Sequence, residues 1–179
     1  MSTINELLRN YRDLLARVDL ICRGIEAEFG ALIACRAGCD GCCRQISFSR
    51  VEVAALAAAL DDFPPEQAAL IRARARDASP AGPCPLLENG LCLLYAARPI
   101  ICRTHGLPLL TQGEGGPTVD FCPLNFRDLD SLPGRAVIDL DRLNTALVAI
   151  NALFVAESCQ NAPPEKERMT IAEALCGGF

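Results

Sequence analysis

The chain has no tryptophan, two tyrosines and one histidine, and aromatic residues make up only 5% of it. It has no basic stripe interleaved with aromatics. Seventeen Lys and Arg stand against 22 Asp and Glu, for a net charge of −5. Phosphate binding needs a concentrated positive face, so this balance argues against nucleic acid as a partner. The densest basic run, Arg72, Arg74 and Arg76, alternates with alanine on an expected helix and reads as a solvated face.

Long hydrophobic runs are also missing. No segment approaches the roughly 18 apolar residues that span a bilayer. Glu6, Arg9, Arg12, Asp13 and Arg17 break up the N-terminal stretch that a secretory signal would keep apolar. These features predict a cytoplasmic protein with no membrane partner. The length, 179 residues, is that of one ordinary domain, expected to occupy 1–179. Helical flanks are expected at about 3–30 and 137–175.

What the chain does have is cysteine, eleven in all. Disulfides persist mainly in secreted proteins, so in a reducing compartment this count points to metal instead. Residues 35 to 43 read CRAGCDGCC, which puts Cys35, Cys39, Cys42 and Cys43 in one short stretch with two glycines and no large apolar side chain. Buried cysteines that act as small hydrophobes are scattered by packing, and these are not. Cys84, Cys92, Cys102 and Cys122 follow and bring the candidates to eight. Cys22 lies on an apolar helical stripe and reads as core, while Cys159 and Cys176 have no partner at ligand spacing.

Around these thiols the pattern is helical. Ile4, Leu7, Leu8, Tyr11, Leu14, Leu15, Val18, Ile21, Cys22 and Ile25 recur at helical spacing behind a Thr3/Glu6 capping box. Ser49 and Glu52 repeat that signature, and Pro64 and Pro65 open a further helix through Leu70 and Ile71. Leu143, Leu147, Ile150 and Phe154 predict a long helix from about Leu140, and Pro163 and Pro164 a last short one. Between residues 79 and 110, Pro and Gly forbid long helices, and Asn89–Gly90 predicts a tight hairpin with Cys84 and Cys92 on its arms. Residues 111–118 read as an exposed loop, followed by a short extended run carrying Cys122. The expected fold is mainly α, with helices at both ends around an irregular cysteine-rich middle that holds a short β-hairpin.

Thiolates are soft ligands, and four of them suit either tetrahedral zinc or the iron of an iron–sulfur cluster. Structural zinc sites usually come as two short-spaced pairs, whereas here the first group is one contiguous CxxxCxxCC run, which favours a cluster, a [4Fe-4S] centre. Side chains of adjacent residues tend to diverge, so Cys42 and Cys43 are expected to serve two centres, unless there is one site with surplus thiols. Arg36, Arg44, Arg98 and Arg103 stand beside the cysteines and could offset thiolate charge by hydrogen bonding around sulfur. His105, three positions after Cys102, is a secondary candidate.

The CxxxC spacing also resembles that of radical S-adenosylmethionine enzymes, but Gly41 stands where they usually carry an aromatic, and the chain has too few strands for their partial barrel. A cysteine nucleophile would have only His105 as a base, and ligation is the simpler account.

The CxxxCxxCC run at 35–43, the segment CPLLENGLCLLYAARPIICRTHG at 84–106 with its YxxRPxxCR pattern, and the later Cys122 together resemble the YkgJ-type cysteine-cluster family of zinc- or iron-chelating proteins. The resemblance covers the middle half of the chain. It implies metal binding through Cys35, Cys39, Cys42, Cys43, Cys84, Cys92, Cys102 and Cys122. A similar module in flagellin lysine methylases, where an iron–sulfur cluster is implicated, supports iron. This chain lacks the extra length of those enzymes, so methyl transfer is not carried over.

Three functions remain open at this point. One is an iron–sulfur protein in electron transfer or redox sensing, with a protein redox partner, or one that carries the cofactor for an enzyme. The others are a zinc-stabilised interaction module and a metalloenzyme with an open coordination position.

Overall fold

The fold was obtained as a computed structural model and describes residues 3–158 and 166–177. Two helices open it, α1 (Ile4–Leu7) and α2 (Arg9–Phe29). The predicted capping box forms: Thr3 N donates to the Glu6 carboxylate at 2.7 Å, and Glu6 N donates to Thr3 Oγ1 at 3.3 Å. The expected single helix is interrupted at Leu8, whose N–H is shared between the carbonyls of Ile4 and Glu6. Tyr11, Leu14, Val18, Cys22 and Ile25 are buried along α2 at the spacing read from the sequence.

After the cysteine loop come β1 (Ser47–Ser49), α3 (Arg50–Asp61) and α4 (Pro65–Arg76). The Ser49/Glu52 box is buried, with the Glu52 carboxylate accepting from Ser49 N at 3.0 Å and Ser49 Oγ at 2.8 Å. Because α3 is apolar on most of its circumference, it can serve two cores. Val51 and Ala54 face one, and Val53, Leu56 and Leu60 face the other. Pro65 occupies the first helical position of α4, where its missing N–H is not needed. The arginine row of α4 is less solvated than expected. Arg72 pairs with Asp61 at 2.6 Å, and Arg74 reaches Glu88 and the Leu87 carbonyl, both at 2.5 Å.

Leu87 and Glu88 form β2, which pairs antiparallel with β3 (Leu91–Cys92) and sets Leu87 opposite Cys92. Asn89 and Gly90 have φ of 50° and 77°, the two positive values that a tight I′ turn requires. α5 (Ile100–Thr104) follows. The region expected as a loop at 111–118 is instead a second hairpin, β4 (Leu109–Gly113) against β5 (Gly116–Asp120), with the hydroxyls of Thr111 and Thr118 3.0 Å apart across it. Only Glu114 and Gly115 form its tip, so the glycines there mark a turn and not an unstructured segment. Cys122 lies just beyond β5.

The short strand β6 (Ile138–Asp139) runs parallel to β4 and leads into α6 (Leu140–Ser158). The expected second helical flank also contains β7 (Arg168–Thr170), which pairs with β1, and α7 (Ile171–Leu175), which starts at a Thr170/Glu173 capping box. Cys159, Pro163 and Pro164 lie outside the described residues.

Two apolar clusters result. In the first, Leu8, Tyr11, Val18 and Ile25 meet Leu147 and Phe154 of α6, together with Ile100, Phe126 and Ile138. The second joins α3, α4 and α7 with Phe48, Leu86 and Leu94. Each fully buried large side chain contributes about 1.5–3 kcal/mol, which fixes the helices on either side of the cysteine-rich middle. Among the described residues, no helix is long and apolar enough to cross a membrane.

Candidate metal centre

The CRAGCDGCC loop is built from two successive turns. Cys39 N donates to Arg36 O and Cys43 N to Asp40 O, each at 2.9 Å, so the glycine-rich spacing curls the chain; Cys35, Cys39 and Cys42 are exposed on it and Cys43 is half-buried. Arg44 N closes back on Cys42 O at 2.9 Å. Cys42 and Cys43 are therefore not in an extended strand; burial raises both thiols, and negative charge on each neighbouring thiol adds to this, from Cys43 at Cys42 and from Cys92 at Cys43.

At one end of the loop Asn125, which is 1% exposed, acts as a clamp. Its Oδ1 accepts from Ala34 N at 2.8 Å; its Nδ2 donates to Gly106 O at 2.6 Å and to Cys35 Sγ at 3.4 Å. Cys122 N donates to the same Gly106 carbonyl at 3.3 Å. Gly106 has φ of +88°, and a Cβ on it would lie 2.7 Å from Cys35 Sγ and 3.5 Å from Cys122 Cβ. Those two distances place Cys35 Sγ within about 6 Å of Cys122 Cβ. Burial raises the Cys35 thiol; the Asn125 hydrogen bond opposes this, and negative charge on Cys122, Cys39 and Cys42 adds to it.

The other end of the loop meets the first hairpin. Cys84 N donates to Cys43 O at 2.9 Å, Arg44 bridges Pro83, and the Cβ position of Gly90 falls 3.1 Å from Gly38 Cα. Cys84, Cys92 and Cys102 pack together on the second apolar cluster. Burial pushes Cys102 up to about 12, helped by the thiolates of Cys84, Cys92 and Cys43. Burial likewise pushes Cys84 up to about 11, with Cys92 and Cys43 adding to it, and raises Cys92. Cys43 is raised by burial and by Cys92.

The arginines differ in placement. Arg98 donates to Tyr95 O at 3.1 Å and to Cys102 O at 3.2 Å, stacks 3.6 Å over the Tyr95 ring, and lowers the Cys43, Cys92 and Cys102 thiols by its charge. Arg103 turns away from this group toward α2. It grips both oxygens of Asp19 at 2.7 Å and donates to the carbonyls of Arg98 and Ala96. Arg36 and Arg44 have exposed side chains on the loop. His105 is exposed where α5 ends and takes part in none of the hydrogen bonds or ion pairs found among the described residues. Cys22 is core: its thiol donates to Arg103 O at 3.6 Å, and burial pushes it up to about 11. Cys176 is exposed.

Sequence reasoning missed two residues of this region. Asn125 and Gly106 hold Cys35 near Cys122, and the motif segments that contain or adjoin them were the available signal. Tyr11, read from the sequence as part of the apolar stripe, is buried on α2 with a hydroxyl that finds no partner among the described residues. Burial and the Glu52 carboxylate hold its phenol well above the usual range.

The donor set fits a soft metal. The ten described cysteines include no disulfide, and eight of them lie on the loop, the hairpin, α5 and the turn after β5. Among the described residues no three Cys, His, Asp or Glu side chains converge as ligands of a single ion do. Neither the curated proteins nor the solved structures contain a match to the chain. A family model does match, over residues 34–123, and those are the residues that carry all eight thiols. The chain belongs to that family, CxxCxxCC, described as a "putative zinc- or iron-chelating domain".

Proposed function

We propose that the chain is a cytoplasmic iron–sulfur protein that holds [4Fe-4S] centres through Cys35, Cys39, Cys42, Cys43, Cys84, Cys92, Cys102 and Cys122, and that it exchanges electrons with a protein redox partner or carries the cofactor for an enzyme. The observation that supports this is the family match over residues 34–123, which span eight unbridged thiols, soft ligands suited to iron. A bound cluster would supply one-electron chemistry. The residues around it would set its charge and its access to a partner. Arg98 provides positive charge beside Cys43, Cys92 and Cys102, Asn125 provides an N–H toward Cys35 Sγ, and Cys39 and Cys42 are exposed, leaving a short path to a docked protein.

The test is anaerobic purification followed by iron and acid-labile sulfide analysis. The expected result is a brown protein with both present. A colourless protein with stoichiometric zinc and no sulfide would replace this reading with the zinc-stabilised module.

A further inference from the structure

We propose that the outward face of α6 seats a second copy of this chain, the two α6 helices running antiparallel across a two-fold axis. This pairing is independent of the metal reading above and uses none of the thiols.

From Leu143 to Ala156, α6 carries no charged residue. A helix apolar around its whole circumference is ordinarily buried on all sides. That holds for α3, apolar from Val53 to Leu60, which both apolar clusters cover. In α6 it holds on one side. Leu147 and Phe154 are buried in the first cluster, with Leu143 and Ile150 packed against it, while away from that cluster Val148 is 68% exposed and Leu153 53%. Between those two, Thr145, Ala149, Ala152 and Ala156 stand exposed at spacings of four, three and four residues, which form one seam along the helix. The exposed side of α2, by contrast, carries Arg9, Arg12, Asp13, Arg17 and Arg23, as a solvated helix does.

The charges at the two ends of the seam point to the occupant. Arg142 and Glu157 are exposed, belong to no ion pair found among the described residues, and lie equally far from the midpoint between Ala149 and Ile150. Each is misplaced for its own helix, because the macrodipole favours anions in the first turn and cations in the last. Asp141, the anion of the first turn, already accepts from Gln112 N at 2.7 Å. An antiparallel copy suits both charges, since its Glu157 comes beside Arg142 and its Arg142 beside Glu157. A surface that complements itself about its own centre is what a two-fold interface requires. The alanines of the seam let the helices approach closely, and Val148 and Leu153 of each copy close over it.

Analytical ultracentrifugation of the reduced full-length protein tests this. It should show a concentration-dependent equilibrium between one chain and two. Ala152→Glu, at an exposed position, should keep the helical circular dichroism and abolish the dimer, whereas Ala16→Glu, exposed on α2, should leave the dimer intact. Arg142→Glu and Glu157→Arg should each raise the dissociation constant roughly 2- to 30-fold, because each removes two exposed ion pairs from the symmetric interface. The double variant Arg142→Glu/Glu157→Arg restores opposite charges at both ends and should return the constant to near the wild-type value.

A pure wild type that stays monomeric at every soluble concentration would overturn the proposal and leave the face to a different protein. A monomer that floats with phosphatidylcholine vesicles would overturn it in favour of a lipid surface. Survival of the dimer in Ala152→Glu would place the interface elsewhere, and a double variant no tighter than its two single parents would refute the antiparallel pairing. If Ala152→Glu folds poorly, the charge exchange decides by itself, because its variants alter only the exposed ends of α6.

Discussion

Gly106 has no side chain at the point where Cys35 presents its sulfur, since a Cβ there would stand 2.7 Å from Cys35 Sγ. No ordinary Cβ tolerates that approach, and the φ of +88° makes any L side chain strained at the same position. Backbone and thiol are therefore fitted to each other across the fold, although 71 residues separate them in sequence.

Gly106→Ala should destabilise the metal-free protein by about 1–3 kcal/mol, the usual cost of holding a non-glycine residue in a sparsely populated conformation. The intruding methyl should also force Cys35 Sγ off Asn125. Metal content should then fall, because Cys35 no longer sits where Asn125 holds it. A melt and a metal analysis check the two effects, and full metal content in the variant would show that Gly106 does not shape the centre.

Asn125→Leu removes both arms of the clamp, leaving Ala34 N without its partner and Gly106 O with Cys122 N alone. Stranding a buried backbone group costs about 1–3 kcal/mol, so a loss of that size is expected in denaturant unfolding. Asn125→Asp keeps the acceptor for Ala34 N but brings a carboxylate toward Cys35 and Gly106 O. It should weaken metal uptake more than its effect on stability suggests. Equal metal affinity in Asn125→Asp and the wild type would count against this role.

The two arginines of the RPxxCR segment should separate cleanly. Arg98 lies against Cys102 O and its charge reaches three thiols, so Arg98→Ala should lower metal affinity by roughly 10- to 100-fold, the usual effect of residues that orient ligands. Arg103 is 8% exposed and paired with Asp19. Arg103→Ala leaves that carboxylate, which is 31% exposed, without its partner. Breaking a buried pair costs about 3–5 kcal/mol, and the partial exposure of Asp19 brings this down to about 2–3 kcal/mol. Its metal content, in the fraction that folds, should stay at the wild-type level. Competition titrations with a chromogenic chelator measure the first variant, thermal melts the second. Reversed outcomes would exchange the roles.

Local signals carried much of the fold. The Thr3/Glu6 and Ser49/Glu52 boxes and the Asn89–Gly90 turn were readable because each depends on residues at most three apart, and they form as read. The β4/β5 hairpin was not, because the glycines of its tip outweighed the strand character of Thr111, Thr118 and Val119, and β4 gains its second neighbour, β6, from more than 20 residues away. Pairing of β1 with β7 joins segments about 120 residues apart, a distance at which no local pattern speaks. The same holds at the candidate site. Residue type and spacing picked out the eight thiols, whereas their grouping depends on Asn125 and Gly106 reaching Cys35 from 90 and 71 positions away. Nor could the sequence say that Arg98 faces thiols while Arg103 turns to α2.

The thiols of Cys84 and Cys102, pushed to about 11 and about 12 by burial and by one another, predict how pH acts on the metal-free protein. An unfolded cysteine titrates near about 8.5, so each folded pKa is raised and the folded state keeps its protons longer. The stability tied to these groups is therefore complete below about pH 8.5 and is lost as pH rises toward 11–12. Cys22, pushed to about 11 in the first core, adds to the same slope. Metal reverses the direction, because bound thiolates have already given up their protons, so affinity should rise with pH and each metal taken up should release protons. Urea unfolding of the metal-free protein at pH 7, 9 and 10.5 should give falling midpoints, with a shallower fall in Cys102→Ser. Cobalt uptake in weakly buffered solution should acidify it. A metal-free protein that is more stable at pH 10.5 than at pH 7 would mean that these thiols are not held protonated by burial.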